Sequence, residues 1–271
     1  MTSRPELYAR WRPAPDERAA VLVVHGYGEH SGRYEHVFAA LNARGYSCLG
    51  FDCRGFGQSG GRRAYVRSFD DYLDDVQWGL DQLATHTDQR PFLLGHSQGG
   101  LVAAQFVVAR SPQLRGLVLS SPALRFALRV PRWKRALAHV LSKLWPTFTL
   151  PSEVDSRDLS HDEAAREALR DDPLIVRVGT ARWYTECLRA QQRVLAGAGA
   201  VQLPTLLQVA GEDRVVDAAV TRRFFEQLGA ADRTWIDYPD LYHEVYQELA
   251  SDRSRALRDL GDWLDGRLTS G

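Results

Sequence analysis

The sequence predicts an α/β fold in which a mostly parallel sheet carries helices on both faces. Short apolar runs rich in β-branched residues alternate with segments of helical periodicity along most of the chain. Several of the runs are apolar throughout, as expected of strands that are buried on both faces of a parallel sheet. A single stretch, residues 123–199, breaks this alternation, which indicates an insertion into an otherwise regular α/β core.

The elements follow from periodicity and from the residues at their ends. We predict strands at residues 20–24, 46–51, 91–94, 116–119, 205–210 and 234–238. We predict helices at residues 34–44, 69–84, 101–110, 217–228 and 248–264. Ser68 is the candidate N-cap of the second of these helices, and Asp217 is the candidate N-cap of the fourth.

Residues 123–199 form a predicted helical cap, and residues 1–122 and 200–271 form the core. Because the cap is inserted between two strand units, we expect it over the carboxyl edge of the sheet, where open α/β sheets bind ligands.

The first part of the cap combines basic and apolar residues. The stretch 123–152 contains no Asp or Glu, and its basic residues are Arg125, Arg129, Arg132, Lys134, Arg135 and Lys143. Apolar side chains recur among them, at Trp133, Leu137, Val140, Leu141, Leu144, Trp145 and Phe148. Such a basic amphipathic helix is typical of peripheral membrane contact. Alternatively, its apolar face covers a channel for an acyl chain while its charges remain solvated.

Composition excludes several classes of function. Lys and Arg together number 34, as do Asp and Glu, so the formal net charge is zero and we expect no nucleic-acid partner. The three cysteines form neither a disulfide framework nor a metal-binding pattern, which favours a cytoplasmic protein. Residues 1–15 contain no apolar stretch, so we expect no signal peptide.

The motif Gly-x-Ser-x-Gly occurs at residues 95–99, between a predicted strand and a predicted helix. In this context the serine occupies a sharp turn that exposes its hydroxyl at the edge of the sheet. The glycines two positions before and after it allow strand and helix to approach closely. The motif therefore predicts Ser97 as a nucleophile.

A nucleophilic serine needs a base, and the base needs a carboxylate that orients it. In folds with this motif the chain order is Ser, then Asp or Glu, then His. Asp213 lies just past the strand at 205–210, although Glu212 and Asp217 are alternatives. His243 is the only histidine after Asp213 in the sequence. We therefore predict Asp213 as the acid and His243 as the base.

An acyl-transfer site also needs two backbone N–H groups for the developing oxyanion. The residue after the nucleophile, Gln98, is expected to supply one of them. The loop His25-Gly-Tyr-Gly28 follows an early strand, and Tyr27 is the candidate for the other. The same glycines are also compatible with an ordinary turn.

Four motifs resemble the monoacylglycerol lipase and lysophospholipase branch of the α/β-hydrolases. They are HGYGEHSGRY at 25–34, DCRGFGQSG at 52–60, GHSQGG at 95–100 and DPL at 172–174. The similarity extends from about residue 20 to the end of the chain and is weakest in the cap. It implies the α/β-hydrolase fold, a mobile apolar cap, no cofactor, and cleavage of esters of single-chain lipids.

The resemblance also implies substrate-binding residues. Glu29, Arg33 and His96 would lie near the polar head of the substrate, although Glu29 and Arg33 could equally form an ion pair that holds the oxyanion loop. Leu169 and Tyr246 stand at head-group positions where animal members carry Tyr and His, and Gln98 stands where many members carry Met.

Two further functions remain open at this point. A short-chain esterase or a serine peptidase could use the same three residues, and a non-catalytic homologue could bind a small ligand. Dehalogenase and epoxide hydrolase chemistry usually needs Asp at the nucleophile position, so Ser97 argues against both.

Overall fold

A computed structural model describes residues 4–127, 130–152 and 154–268 of the chain. Arg129, one of the basic residues of the predicted cap helix, lies outside the described residues. The strands are β1 (Ala9–Arg12), β2 (Ala19–Val24), β3 (Tyr46–Phe51), β4 (Phe92–His96), β5 (Gly116–Ser120), β6 (Thr149–Pro151), β7 (Val178–Thr180), β8 (Thr205–Ala210) and β9 (Arg233–Tyr238). The α-helices are α1 (Glu35–Asn42), α2 (Asp70–Leu83), α3 (Gln98–Arg110), α4 (Arg132–Leu144), α5 (Glu163–Asp171), α6 (Ala181–Ala196), α7 (Ala218–Gln227) and α8 (Ala250–Asp265).

In the described part of the chain, seven strands form one sheet in the order β1-β3-β2-β4-β5-β8-β9. All neighbours in it are parallel except β1, which runs antiparallel to β3 at one edge. The carboxyl ends of β2, β4, β5, β8 and β9 therefore meet at one edge. The predicted α/β fold is confirmed.

Alternate residues of the central strands face two different hydrophobic layers. On β2, Val21 and Val23 belong to the layer that contains residues of α1 and α8, whereas Leu22 and Val24 belong to the layer that contains residues of α2, α3 and α7. The helices thus cover both faces of the sheet, and both faces exclude water from the strand backbones. Uniformly apolar strands such as β2 are the consequence.

The predicted cap contains α4, α5 and α6. It also contains a small antiparallel sheet of β6 and β7, which the sequence pattern did not predict. It is hydrogen-bonded to the core at several places. The ring Nδ1 of His30 accepts from Gly32 N, so its Nε2–H donates to Asp172 Oδ2 at 2.7 Å. Elsewhere, Glu244 N donates to Leu159 O at 2.8 Å.

The apolar side of α4 faces solvent. The exposed fractions are 64% for Trp133, 48% for Leu137, 50% for Val140 and 81% for Leu144. The opposite side packs on α6, where the hydroxyls of Ser142 and Thr185 lie 2.7 Å apart. The expectation that these four apolar side chains cover an acyl channel is therefore wrong for the helix as it is placed.

Three local predictions were also inaccurate. The strand β1 was not predicted, because its sequence Ala-Arg-Trp-Arg carries charges and its residues are only partly buried. Helix α3 begins directly after Ser97 rather than at Leu101. Phe69 rather than Ser68 is the N-cap of helix α2, and the Ser68 hydroxyl accepts only a long bond from Asp70 N, at 3.3 Å. In the described residues, no helix is both long and apolar enough to cross a membrane.

Candidate active site

Ser97 occupies a strained turn between β4 and α3. Its φ of 51° and ψ of −117° lie in a region that few non-glycine residues adopt. Hydrogen bonds hold the turn from both sides: Ser97 N donates to Ser120 O at 2.9 Å, and Ser97 O accepts from Ala123 N at 2.8 Å. The turn therefore directs the hydroxyl of Ser97 to the edge of the sheet at the N-terminus of a helix.

The flanking glycines are required by close packing. A Cβ on Gly99 would overlap the carbonyl oxygen of Val24, and a Cβ on Gly95 would overlap the carbonyl oxygen of Gly99. No side chain fits where β2, β4 and α3 converge. The motif therefore reflects the spacing of the backbone at this point.

His243 connects Ser97 to Asp213. Its Nδ1–H donates to Oδ2 of Asp213 at 2.7 Å, which leaves Nε2 to accept from the Ser97 hydroxyl at 2.8 Å. The other oxygen of Asp213 accepts from the amides of Val215 and Val216 at 2.8 and 2.9 Å. The carboxylate is thereby fixed in place, and with it the orientation of the imidazole.

The alternative acids lie elsewhere. Asp217 caps α7 by accepting from Ala219 N and Val220 N, as the sequence predicted. The side chain of Glu212 is exposed to solvent. Of the three carboxylates that follow β8, the structure therefore brings Asp213 to His243.

The charges around His243 stabilise the protonated form of its imidazole ring. Burial lowers the pKa of His243, but the charge and hydrogen bond of Asp213, together with the charges of Glu244 and Glu29, outweigh it and the pKa is raised overall. His96 lies beside it, with ring centroids 5.0 Å apart. Burial and the proximity of His243 lower the pKa of His96 to about 4, so His96 stays neutral near pH 7.

The loop after β2 is held by a buried carboxylate. Oε1 of Glu29 accepts from Gly26 N at 2.6 Å and from the hydroxyl of Tyr34 at 2.7 Å. Next to it, His25 accepts from Cys53 N through Nε2 and lies 2.7 Å from Gly26 O through Nδ1. These bonds fix the loop that carries Tyr27, whose N–H remains the candidate second donor of the oxyanion hole beside that of Gln98.

An ion-pair cluster links that loop to the loop of His243. Arg33 donates to Oε2 of Glu29 at 2.6 Å and to both oxygens of Glu244, at 2.8 Å each. Glu29 is 4% exposed and Glu244 is 7% exposed, so the cluster is shielded from water. Despite its burial, the pKa of Glu29 is lowered, chiefly by Arg33. This geometry supports the ion-pair interpretation of Glu29 and Arg33.

The remaining predicted substrate-binding residues differ in their burial and in their hydrogen-bond partners. His96 is buried, with Nδ1 3.0 Å from the hydroxyl of Ser120. Tyr246 is also buried, and its hydroxyl donates to Oε1 of Gln208 in the core. Leu169 lies half-buried on α5 in the cap, and its carbonyl accepts from Arg177. Their roles toward a substrate stay predictions.

Two residues at the site were missed from the sequence. Glu244 directly follows His243, and an acidic residue beside a predicted base was a usable signal. Trp183 donates from Nε1 to the side chain of Gln98 at 3.0 Å. Nothing in the sequence indicated that contact, because it forms only when the cap meets the core.

Known proteins resemble this chain over nearly its whole length. A family model described as serine aminopeptidase, S33 (Hydrolase_4) matches residues 15–250. The monoacylglycerol lipase of Mycolicibacterium smegmatis is 30% identical over 97% of this chain and 93% of its own length. The monoglyceride lipase of Homo sapiens is 31% identical over 96% and 86%. Phospholipase YtpA of Bacillus subtilis is 31% identical over 85% and 89%.

Solved structures agree with these relatives. The monoacylglycerol lipase of Paleococcus ferrophilus superposes with a TM-score of 0.89 at 30% identity, covering 97% of this chain and 99% of that one. A soluble variant of the monoglyceride lipase of Saccharomyces cerevisiae, in complex with a substrate analogue, gives a TM-score of 0.84 at 21% identity, covering 98% and 96%. The second comparison concerns the fold alone.

The contact between His243 and Asp213 predicts a titration. We expect the His243 ring to titrate above the usual value of about 6.5, and Asp213→Asn to lower its pKa, because the buried imidazolium then loses its counter-charge. Histidine-ring NMR across pH measures this, with His243→Gln assigning the resonance. Asp217→Asn is the matched control, since Asp217 caps α7 instead. An unchanged His243 pKa in Asp213→Asn would contradict the assignment.

Proposed function

Because the chain belongs to the serine aminopeptidase S33 family of α/β-hydrolases, and within it to the monoglyceride lipases, we propose that it hydrolyses carboxylic esters of single-chain lipids through an acyl-enzyme on Ser97. The observation that carries this proposal is the continuous hydrogen-bonded series from Ser97 through His243 to Asp213 at a strained turn. Strain of this kind is retained where it serves chemistry.

In the first half of the proposed reaction, Ser97 Oγ attacks the ester carbonyl while His243 Nε2 takes its proton. The carbonyl oxygen becomes an oxyanion, which the N–H groups of Tyr27 and Gln98 are proposed to bind. The imidazolium of His243 then gives its proton to the leaving alcohol. The hydrogen bond that His243 Nδ1–H donates to Asp213 keeps the ring in the tautomer that can accept from Ser97.

In the second half, water takes the place of the alcohol. His243 removes a proton from the water, hydroxide adds to the acyl carbon, and the bond to Ser97 Oγ breaks with return of the proton to the serine. The neutral state of His96 supports this cycle, because a second imidazolium 5.0 Å away would repel the one that forms on His243.

The description of the family also raises an aminopeptidase as a second candidate. Such an enzyme needs an unpaired carboxylate for the ammonium group of its substrate. Glu29 and Glu244 lie beside the site, but Arg33 pairs with both of them. This pairing favours a neutral ester substrate over an amino-terminal peptide.

The first experiment tests the roles of the three residues. Ser97→Ala should lower kcat by roughly four orders of magnitude or more, because the residues act as a unit. His243→Ala should fall nearly as far, and Asp213→Asn somewhat less. Steady-state hydrolysis of a p-nitrophenyl ester measures this, with Ser111→Ala on the exposed end of α3 as control. Residual activity of Ser97→Ala above about a tenth of wild type would exclude Ser97 as the nucleophile.

Substrate choice gives a second test. Phe126 and Tyr184 stack with ring centroids 6.3 Å apart, and we propose that the acyl chain lies against these two rings. Each buried CH₂ contributes about 0.8 kcal/mol, or roughly fourfold. Below the critical micelle concentration, kcat/KM should therefore rise from acetyl to octanoyl esters, and monoacylglycerols should exceed both triacylglycerols and aminoacyl anilides. If kcat/KM instead fell steadily as the acyl chain lengthened from acetyl, the protein would be an esterase for small esters and not for lipid esters.

The cap supports a further proposal, peripheral contact with an anionic lipid surface. Trp133, Leu137, Val140 and Leu144 face solvent along one side of α4. Basic residues lie on the same helix, and residues 123–152 contain no acidic residue. Apolar side chains flanked by positive charge complement a membrane whose head groups are negative.

Two sets of variants separate the apolar and the electrostatic contributions to this contact. Replacing Trp133 and Leu144 together by Ser should weaken binding to phosphatidylserine-containing vesicles more than tenfold, since each buried side chain contributes about 2 kcal/mol. Replacing Arg132 and Arg135 by Glu should reduce the free energy of vesicle binding by about 1 kcal/mol or more per charge, and the reduction should be largest at low salt.

Vesicle co-sedimentation measures both sets, and hydrolysis of a soluble short ester should stay unchanged. Leu249→Ser is the matched control, because Leu249 is 48% exposed outside the cap. Equal binding by wild type and the Trp133/Leu144 variant would rule out this docking surface.

A further inference from the structure

One cap side chain contacts both residues that we assign to the oxyanion hole. Trp183 lies in the first turn of α6 and is 8% exposed. Its indole Nε1–H donates to Oε1 of Gln98 at 3.0 Å. Its ring packs on the ring of Tyr27, with centroids 4.2 Å apart and planes inclined by 32°. Tyr27 lies in the loop after β2 and Gln98 is the first residue of α3, so Trp183 bridges two separate parts of the core.

Trp183 is itself held in place by backbone and side-chain bonds. The backbone N–H of Trp183 donates to Thr180 Oγ1 at 3.2 Å. The hydroxyl of Thr180 in turn donates to the carbonyl of Ala64 in the core at 2.6 Å. The hydroxyl of Tyr27 donates to Val178 O at 2.6 Å. The segment around β7, which directly precedes Trp183, is therefore fastened to the core at two points.

A second backbone bond joins the same parts of the molecule. Val176 N donates to Gly28 O at 2.7 Å, and a Cβ on Gly28 would lie 2.7 Å from Val176 O. Gly28 has a φ of +78°. The residue after Tyr27 thus has no room for a side chain against the cap.

We propose that Trp183 is a positioning residue that fixes the two N–H donors of the oxyanion hole by holding Tyr27 and the side chain of Gln98. The inference rests on the proposed ester hydrolysis. An oxyanion donor stabilises the transition state only when it is already oriented toward the developing charge. Tyr27 lies between Gly26 and Gly28, which restrict the backbone little by themselves. Its ring contact with Trp183 adds a restraint from the cap to those that Glu29 and His25 supply from the core.

The bond to Gln98 acts on the other donor. Gln98 is 3% exposed, so its carboxamide has little water to bond in place of the indole. Losing the indole N–H leaves that oxygen without this donor and frees the side chain to rotate. Because the N–H of Gln98 begins α3 directly after Ser97, small shifts there alter the angle at which it meets the oxyanion.

The experiment uses Trp183→Phe, which keeps a ring on Tyr27 but removes the N–H, and Gln98→Met, which removes the acceptor but keeps the backbone amide. Losing a whole oxyanion donor costs roughly 10²–10³ in kcat, so a displaced donor should cost about tenfold. We expect each variant to lower kcat about tenfold with KM within twofold. The double variant should be no slower than the slower single one, since both remove the same bond.

A reversible inhibitor reports the oxyanion itself. A medium-chain alkyl trifluoromethyl ketone adds to the serine and forms a tetrahedral oxyanion, so its inhibition constant should rise in proportion to the loss in kcat/KM. Trp263→Phe is the matched control: Trp263 is 5% exposed and its Nε1–H donates to Thr234 at 3.1 Å, on the far side of the core. This control should lower Tm without changing kcat or inhibition.

The outcomes separate the two proposals. A wild-type protein that hydrolyses no ester would contradict the proposed function itself. An active wild type with Trp183→Phe and Gln98→Met resembling Trp263→Phe would assign Trp183 a structural role only. A higher KM at unchanged kcat would make Trp183 a contact of the acyl chain and overturn the positioning role.

Discussion

The structure depends on the close approach of β2, β4 and α3 around Ser97. The absence of side chains at Gly95 and Gly99 lets the backbones come together, and the strained turn at Ser97 fits between them. The parallel sheet then brings the ends of β8 and β9 to the same edge, where the loops of Asp213 and His243 begin. Because this packing is backbone against backbone, it leaves little freedom for the direction of the serine hydroxyl.

The loop of Tyr27 is held from two directions, by polar groups of the core and by an aromatic ring of the cap. On the side of the core, Glu29 accepts from the backbone N–H of Gly26, and Arg33 connects Glu29 to Glu244 beside His243. On the side of the cap, Trp183 covers the ring of Tyr27. Buried ion pairs contribute little net stability, but removing one partner leaves an uncompensated charge. The cluster therefore specifies the relative position of two loops more than it stabilises the fold.

The sequence was most informative where local pattern and chain order decide the structure. The strand–turn–helix context of Ser97, the position of Asp213 after β8 and the uniqueness of His243 led to three side chains that the structure places in hydrogen-bond contact. Their catalytic roles stay predictions. The periodicity of α4 indicated an apolar face, but periodicity does not say whether that face meets solvent or core. Contacts such as Trp183 with Gln98 join distant segments, and no local pattern encodes them.

Covalent labelling determines whether Ser97 is a nucleophile that His243 and Asp213 activate. An alkyl fluorophosphonate should add a single phosphonyl group to the folded protein, and tandem mass spectrometry should locate it on Ser97. Heat-unfolded protein and the His243→Ala variant should label far more slowly, because the hydroxyl then lacks its base. Labelling at another serine, or equal labelling of folded and unfolded protein, would contradict the account.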